Sequence, residues 1–479
     1  MTRYSRDPLV ERSLRYSVRD GVAWSVMFGA GESYLQAFAV FLKASTAQMT
    51  LLTALPSLLG SLSQLASAWV AGRAIPRKRL IFGGVLLQAL TWVPIIALAF
   101  VPTPYAVPLL ISWVALYYIG GQFAAPPWSS LISDLVPERR RGRFFGRRTQ
   151  LMSMFTFASL TLAGLLLEFF EQREAAAWGF ALLFGVAFAA RLYSLRQLMR
   201  MHEPAGRLAP FTLPPLGGLL ERVRGSDFAR FALFVACMNL AVAIASPFFT
   251  LYMLRDLRFS YLEFTAANGF YVLMQFVALG AWGRASDVFG NLRVLQVTSV
   301  VFPALPILWV VFPNFWAILL FQLVGGIAWA GFSLAAGNFL YDVVPPEKRA
   351  AYSAVHQTLS NVVIFAGALI GGTLATHVPH ALEIAGYTVV FTSGLWAALT
   401  LSTVARALVL AIFLPRLRER RPVRPTSAAA LAIRVVRANI LAEWLFELLP
   451  ARSRQPRSRR SSSKASRPFT GSGSRVDAG

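Results

Sequence analysis

Glu32 lies in the middle of an apolar run, flanked by Gly29, Gly31, Ser33 and Tyr34. A carboxylate at mid-membrane depth costs several kcal/mol unless it is paired, protonated or wet. Proton exchange, pairing with a cationic ligand, and a protonated carboxyl hydrogen-bonded inside a bundle are the chemistries open to it. Gly29 and Gly31 permit close helix approach or local unwinding beside it. Amides fall at comparable depth in other runs: Gln64, Gln88, Gln122, Asn239, Asn268, Gln275 and Asn361. Such side chains face a bundle interior, as packing contacts or as ligand groups. His356 lies close to the end of its run, where an interfacial histidine is expected. Arg191 and Arg406 lie within a few turns of their run ends, and snorkelling accounts for both. No His-x-x-His pair, nucleophile motif or phosphate-binding glycine loop occurs, and the only cysteine, Cys237, sits in an apolar run. Neither a cofactor, a metal site, a catalytic residue nor a disulfide framework is therefore expected.

The elements that must position these residues are membrane helices. Of the 479 residues, 56% are hydrophobic and 14% charged, against about 25% charged in a soluble protein. Mean hydropathy is +0.55. The apolar residues gather in runs of roughly 20 or more, enough to cross about 30 Å of hydrocarbon as a helix. Twelve spans are expected, near 20–43, 48–72, 78–101, 106–132, 145–168, 174–199, 228–254, 260–284, 291–312, 315–341, 351–376 and 386–413. Pro94, Pro126, Pro127 and Pro247 are expected to kink their helices. The fold class is an all-α polytopic membrane protein.

The net charge of +24 is concentrated in the loops between the runs, so a nucleic-acid partner is not expected. Arg73, Arg77, Lys78 and Arg79 follow the second run, and Arg139, Arg140, Arg141 and Arg143 follow the fourth. The loops on the other side are nearly bare of basic residues. Positive-inside bias then predicts a bacterial inner-membrane protein with both termini in the cytoplasm. A Pro- and Gly-containing linker is expected at 201–227, between bundles at 20–200 and 228–415. Residues 1–19 read as a cytoplasmic segment, 416–450 as an interfacial amphipathic helix and 451–479 as a basic disordered tail. The halves repeat: Asp134-Leu-Val-Pro137 with Arg141 and Phe144 recurs as Asp342-Val-Val-Pro345 with Arg349 and Tyr352, at a constant offset of 208. Duplication of a helical bundle marks many transporter folds.

With Gly283-Arg-Ala-Ser-Asp287-Val-Phe-Gly290-Asn-Leu-Arg293 after the eighth run, the chain resembles the major facilitator superfamily over about 20–413. The resemblance implies two pseudo-symmetric six-helix bundles, a monomer, and alternating access to a substrate site between them. It implies cytoplasmic gating contacts at Asp287, Gly290 and Arg293, with Asp134, Arg141, Asp342 and Arg349 in similar loops. Topological charge alone would also place these residues there. The first-half counterpart, Ala71 to Arg79, keeps the bases but has no acid. By the same resemblance the cavity-lining spans bring forward Tyr34, Gln122, Asn239, Tyr271, Gln275, Trp329 and Asn361 beside Glu32. Tyr117 and Tyr118 stand where proton-coupled drug exporters of the superfamily place an arginine, and the fifth run lacks their Gly-Pro signature. The function expected is secondary active transport of a small organic solute, with a proton or other ion coupled through Glu32. A transporter-like sensor or partner subunit, or less readily a membrane enzyme, is the alternative.

Overall fold

Helix starts are set by local capping. Asp7 accepts from the Leu9 amide ahead of Pro8 and opens the first helix. Ser45 and Gln48 exchange backbone and side-chain hydrogen bonds ahead of the second span, and Ser260 with Glu263 does the same at the eighth. In this computed structural model the described residues are 7–71, 75–137, 140–204, 227–343, 349–378, 381–384, 387–391 and 393–417. They all fall in one unit, Met1–Ile440; the second unit, Leu441–Gly479, lies outside them. Residues 418–450 of the expected helix, the tail and most of the 201–227 linker also lie outside.

Twelve spans follow in order, and eleven of them contain a helix long and apolar enough to cross a membrane. The twelfth crossing is span 1, which is split: Pro8–Ala30, a 3-10 turn at Glu32–Tyr34, then Leu35–Phe41. The first helix therefore starts well before residue 20. Spans 2 to 6 are Thr46–Ala71, Arg77–Leu90 continued by Trp92–Ala97, Ala106–Leu135, Arg141–Glu171 and Ala176–Arg200. Span 7 runs Asp227–Ala243, Phe248–Leu251 and a π turn at Tyr252–Asp256; span 8 is Tyr261–Phe289. Span 9 is Asn291–Ser299 with Ala304–Val311, span 10 Phe315–Val343, span 11 Arg349–His377 and span 12 Trp396–Phe413. Span 12 starts ten residues later than expected, because Ala381–Ile384 and Tyr387–Val390 form an antiparallel hairpin ahead of it.

The breaks have chemical causes. Pro94, Pro247 and Pro303 lack the N–H that would bond the Leu90, Ala243 and Ser299 carbonyls, and spans 3, 7 and 9 break there. The helices run on through Pro126 and Pro127. At Gly31, a Cβ would meet Ala187 and Trp92 within 2.7 Å, so the chain approaches span 6 there as only glycine allows. The breaks fall in spans 1 and 3 of the first half and in their counterparts, 7 and 9, of the second.

Packing shows how the halves meet. Away from the arginine-rich loops, one hydrophobic core holds Tyr34, Phe38, Phe180 and Phe184 together with Phe248, Leu251, Tyr252 and Phe264. Spans 2 and 11, and spans 5 and 8, pack across this seam. At the arginine-rich end each half has its own core: Leu14, Ile81, Leu131 and Phe144 in the first, Phe231, Trp282, Phe289 and Leu295 in the second.

Candidate functional site: a charged cavity in the first half

Glu32 sits at the break in span 1, where the helical turn tightens and its carboxylate reaches span 4. Tyr117 donates to one of its oxygens at 2.7 Å and Tyr118 to the other at 2.9 Å. Adjacent residues on a helix normally diverge, and both phenols reach one carboxylate because it lies between them. Tyr117 is fixed by an edge contact to the buried ring of Trp92, with centroids 5.2 Å apart. No cation hydrogen-bonds Glu32 among the described residues; the Arg191 guanidinium acts on it through the electrostatic field.

Below Glu32, toward the arginine-rich end, lies a second set of charges. Asp20 accepts from Ser194 at 2.7 Å and from Arg148 at 3.4 Å. Arg148 also donates to the Ser17 carbonyl at 3.2 Å and lies 4.8 Å over the Trp128 ring. Arg191 donates to the Ser194 hydroxyl at 2.9 Å. The proton order is thus Arg191 to Ser194 to Asp20, with Arg148 closing on the same carboxylate. Asp20, Arg148 and Arg191 are all buried. The expectation that Arg191 snorkels is wrong: its side chain turns inward, to the field of two carboxylates. Arg406 is buried as well and donates to the Phe302 carbonyl at 3.0 Å, so it does not snorkel either.

These groups line one cavity of about 330 Å³, with contributions from spans 1, 3, 4, 5 and 6. Its walls carry Trp24, Tyr117, Tyr118 and Trp128, and its polar lining is Asp20, Glu32, Gln88, Gln122, Arg148 and Arg191. Three buried polar atoms of this lining have no hydrogen-bond partner: Gln88 Oε1, Trp128 Nε1 and Arg191 Nε. Small-molecule sites have this make-up, apolar walls with a few convergent polar groups.

The family model described as Major Facilitator Superfamily matches residues 21–242 and again 229–460. The chain belongs to the Major Facilitator Superfamily. That family is one of membrane transporters, and the double match follows the duplication read from the loops. An MFS-type transporter of Aspergillus terreus is 27% identical over 124 residues, covering 26% of this chain and only 22% of that relative. The fold is shared with solved structures. A nucleoside transporter NupG aligns with a TM-score of 0.65 at 12% identity, covering 85% of this chain and 100% of that one. A bacterial homolog of the human lysosomal transporter Spinster, inward-facing and unoccupied, aligns with 0.63 at 14% identity over 90% and 99%. A bacterial homologue of the iron transporter ferroportin, inward-facing, gives 0.63 at 14% over 84% and 98%. At such identities these likenesses carry the fold alone.

The superfamily's central-cavity expectation gathers only part of the predicted set in this member. Glu32 and Gln122 line the cavity together. Tyr34 does not: it is fully buried in the seam core, bonded to Leu160 and Thr265. Trp329 packs against Phe302 and Phe332, with centroids 5.7 Å from each. Tyr271 and Gln275 pack their backbones against Gly326 of span 10. Asn239 and Asn361 are half-buried in spans 7 and 11, away from the first-half cavity. Among the amides read as packing contacts, Gln88 lines the cavity, whereas Asn268 bonds the Phe264 carbonyl of its own helix.

At the loops, Asp287 is exposed, and its carboxylate makes no hydrogen bond or ion pair with a described residue. Gly290 turns the chain into span 9 with φ 87°, a backbone that favours glycine. Arg293 is exposed and bonds Gln296 at 2.8 Å. Asp134 pairs with the buried Arg77 at 2.6 Å, and Glu203 bonds the Arg77 amide at 2.9 Å. The first-half loop therefore has its acid, supplied by the ends of spans 4 and 6 and contained within one half. The side chains of Arg141, Asp342, Arg349 and His356 lie outside the described residues.

Asp20 and Arg148 are the residues that sequence reading missed, and Arg191 the one it assigned to the interface. Their signal was present as one acid and two bases inside helices of the same half. Read singly, each lies near enough to an end of its expected span, 20–43, 145–168 or 174–199, to be assigned to the interface.

Proposed function

We propose that the protein is a secondary active transporter of a small organic solute, coupled to protons through Glu32. The carrying observation is the carboxylate at the break of span 1, lining a cavity and held by two phenols. A carboxyl held by neutral donors keeps its contacts in either protonation state, since a phenol both donates and accepts. It can therefore load and release a proton without dismantling the site.

The two bundles, near 20–200 and 228–415, are the moving bodies, and 201–227 links them. With the arginine-rich loops in the cytoplasm of a bacterial inner membrane, both termini are cytoplasmic and the present state opens inward. Shared packing at the opposite end and separate cores at this one support that reading. Rocking about the seam closes the cytoplasmic mouth, where the free Asp287 with Gly290 and Arg293 provides contacts absent here. The Asp342 and Arg349 loop belongs to the same mouth. The protein acts as a monomer, driven by the electrochemical gradient.

Proteoliposomes with an imposed pH gradient and an entrapped pH dye test the assignment. Solutes that drive proton movement through the parent protein, and fail to do so through Glu32→Gln, support it. Equal pH dependence in parent and variant removes Glu32 as the coupling group.

A further inference from the structure

Four charged side chains share the first-half cavity, and only two of them are spent on each other. Asp20 takes Ser194 and Arg148 directly. Arg148 is committed in turn, to Asp20, to the Ser17 carbonyl and to the face of Trp128. That leaves Glu32 and Arg191, with no hydrogen bond between them. Arg191 is 5% exposed, bonds only the neutral Ser194 hydroxyl, and keeps a buried Nε–H without a partner. A guanidinium in that position requires an opposite charge nearby. Asp20 and ionised Glu32 supply it through the field, and Asp20 is already bonded to Arg148. Once Glu32 takes up a proton, nothing else unspent in the cavity does.

We infer that the cavity binds a small organic monoanion together with one proton, the anion on Arg191 and the proton on Glu32. This builds on the proton-coupled reading above and names its substrate class. The remaining lining fits such a ligand. Trp128 Nε1–H is a second unspent donor for a carboxylate or a ring oxygen, and Gln88 Oε1 is an acceptor for a hydroxyl or amide. Trp24, Tyr118 and Trp128 offer flat apolar surface to a planar body. The volume of about 330 Å³ is small for a ligand pocket.

The logic is one of charge balance. With Glu32 ionised the cavity is neutral, and an anion entering it meets the carboxylate. With Glu32 protonated the cavity holds a net positive charge, which the anion cancels. Proton and anion therefore bind with positive coupling, each raising the affinity for the other. The charged and titratable groups facing Glu32 from the packed helices are Tyr117 and Tyr118 of span 4 and Arg191 of span 6; Asp20 of span 1 and Arg148 of span 5 complete the cavity. None but Glu32 is both acidic and free of a bonded cation. A cationic ligand would pair with Glu32 and leave the unpartnered Nε–H of Arg191 unmet.

Benzoate, benzamide and benzylamine have nearly the same shape and carry negative, no and positive charge. Thermal stabilisation of the purified full chain by each, at about pH 5.5 and about pH 8, separates the cases. Benzoate is expected to stabilise, with apparent affinity falling about tenfold per pH unit on the alkaline side; the other two are expected to do nothing. Glu32→Gln, a neutral isostere, is expected to bind benzoate without pH dependence, and Arg191→Gln to lose it. Preference for benzylamine, equal binding of benzamide, pH-independent benzoate binding by the parent, or stabilisation by none of the three overturns the inference. Benzoate binding as expected, without benzoate-driven proton movement in proteoliposomes, upholds the anion site and removes the transport reading instead.

Discussion

The Tyr34 hydroxyl and Thr265 Oγ1 lie 2.8 Å apart, joining span 1 of the first half to span 8 of the second. The phenol proton goes to the Leu160 carbonyl at 2.7 Å, which cannot donate, so Thr265 donates to Tyr34. In the proposed alternation this bond is present only while the arginine-poor end is closed. Tyr34→Phe should lose about 1 kcal/mol from the closed seam, a roughly fivefold shift in population. Labelling of a cysteine at Gln36, which bonds Thr250 across the same seam at 2.7 Å, should rise accordingly in a background lacking Cys237. Unchanged labelling would show that the bond follows closure without contributing to it.

Gly164 faces Thr265, and Gly372 faces Thr50, with no space for a Cβ at either glycine. The two glycines are 208 positions apart, the offset of the loop repeat, and each threonine is the fifth residue of its helix. The seam is thus built twice from one plan. Gly164→Ala and Gly372→Ala should each penalise closure by about 1–3 kcal/mol through overpacking. Gly185→Ala, where nothing lies within 4 Å of the added atom, is the control. Solvent accessibility of seam cysteines should increase for the first two and stay at the parent level for the third.

Asp20 and Arg148 form a buried pair, with side chains 5% and 11% exposed. Removing one partner strands the other charge. Asp20→Asn or Arg148→Gln should each cost about 3–5 kcal/mol, and the double variant less than the sum. Thermal unfolding in detergent measures the cycle. Additive losses would mean the two residues do not depend on each other.

Arg77 meets Asp134, Ser130 and the Pro204 carbonyl through its guanidinium, all inside the first half. Asp134→Asn should therefore lower stability by about 1–2 kcal/mol, softened by the exposure of the carboxylate. It should leave the balance between open and closed ends unchanged. A change in seam labelling in this variant would reassign Asp134 to the gate.

Much of the fold was legible because hydropathy and basic-loop asymmetry are sums over many residues. They survive local errors, so the spans and the repeat around Asp134 and Asp342 could be read directly. The same averaging hides a break of one turn. An apolar window across residues 20–43 or 228–254 looks alike whether or not the ladder of backbone hydrogen bonds is continuous. Glu32 was legible as a lone acid amid apolar residues. Its partners were not, because Tyr117 and Tyr118 read as ordinary aromatics until span 4 is packed on span 1. Arg191 was misread because distance from a helix end says nothing about which way a long side chain turns. Tyr34 and Trp329 show the reverse error: polar aromatics in cavity-facing spans can still be spent on packing.

The interruptions in spans 1, 7 and 9 tighten the backbone ladder to bonds three residues back, Tyr34 to Gly31, Phe248 to Ala245 and Phe302 to Ser299, and Pro94 omits one bond in span 3. Each such crossing is two stiff rods joined by a short compliant link rather than one rod. Deuterium should enter the peptide groups at Tyr34, Phe248 and Phe302, which bond only three residues back, before it enters the unbroken helices beside them. Because the links recur in equivalent helices of both halves, a torque applied at one mouth need not reach the other undiminished. The duplicated gene thereby supplied the protein with a matched set of joints.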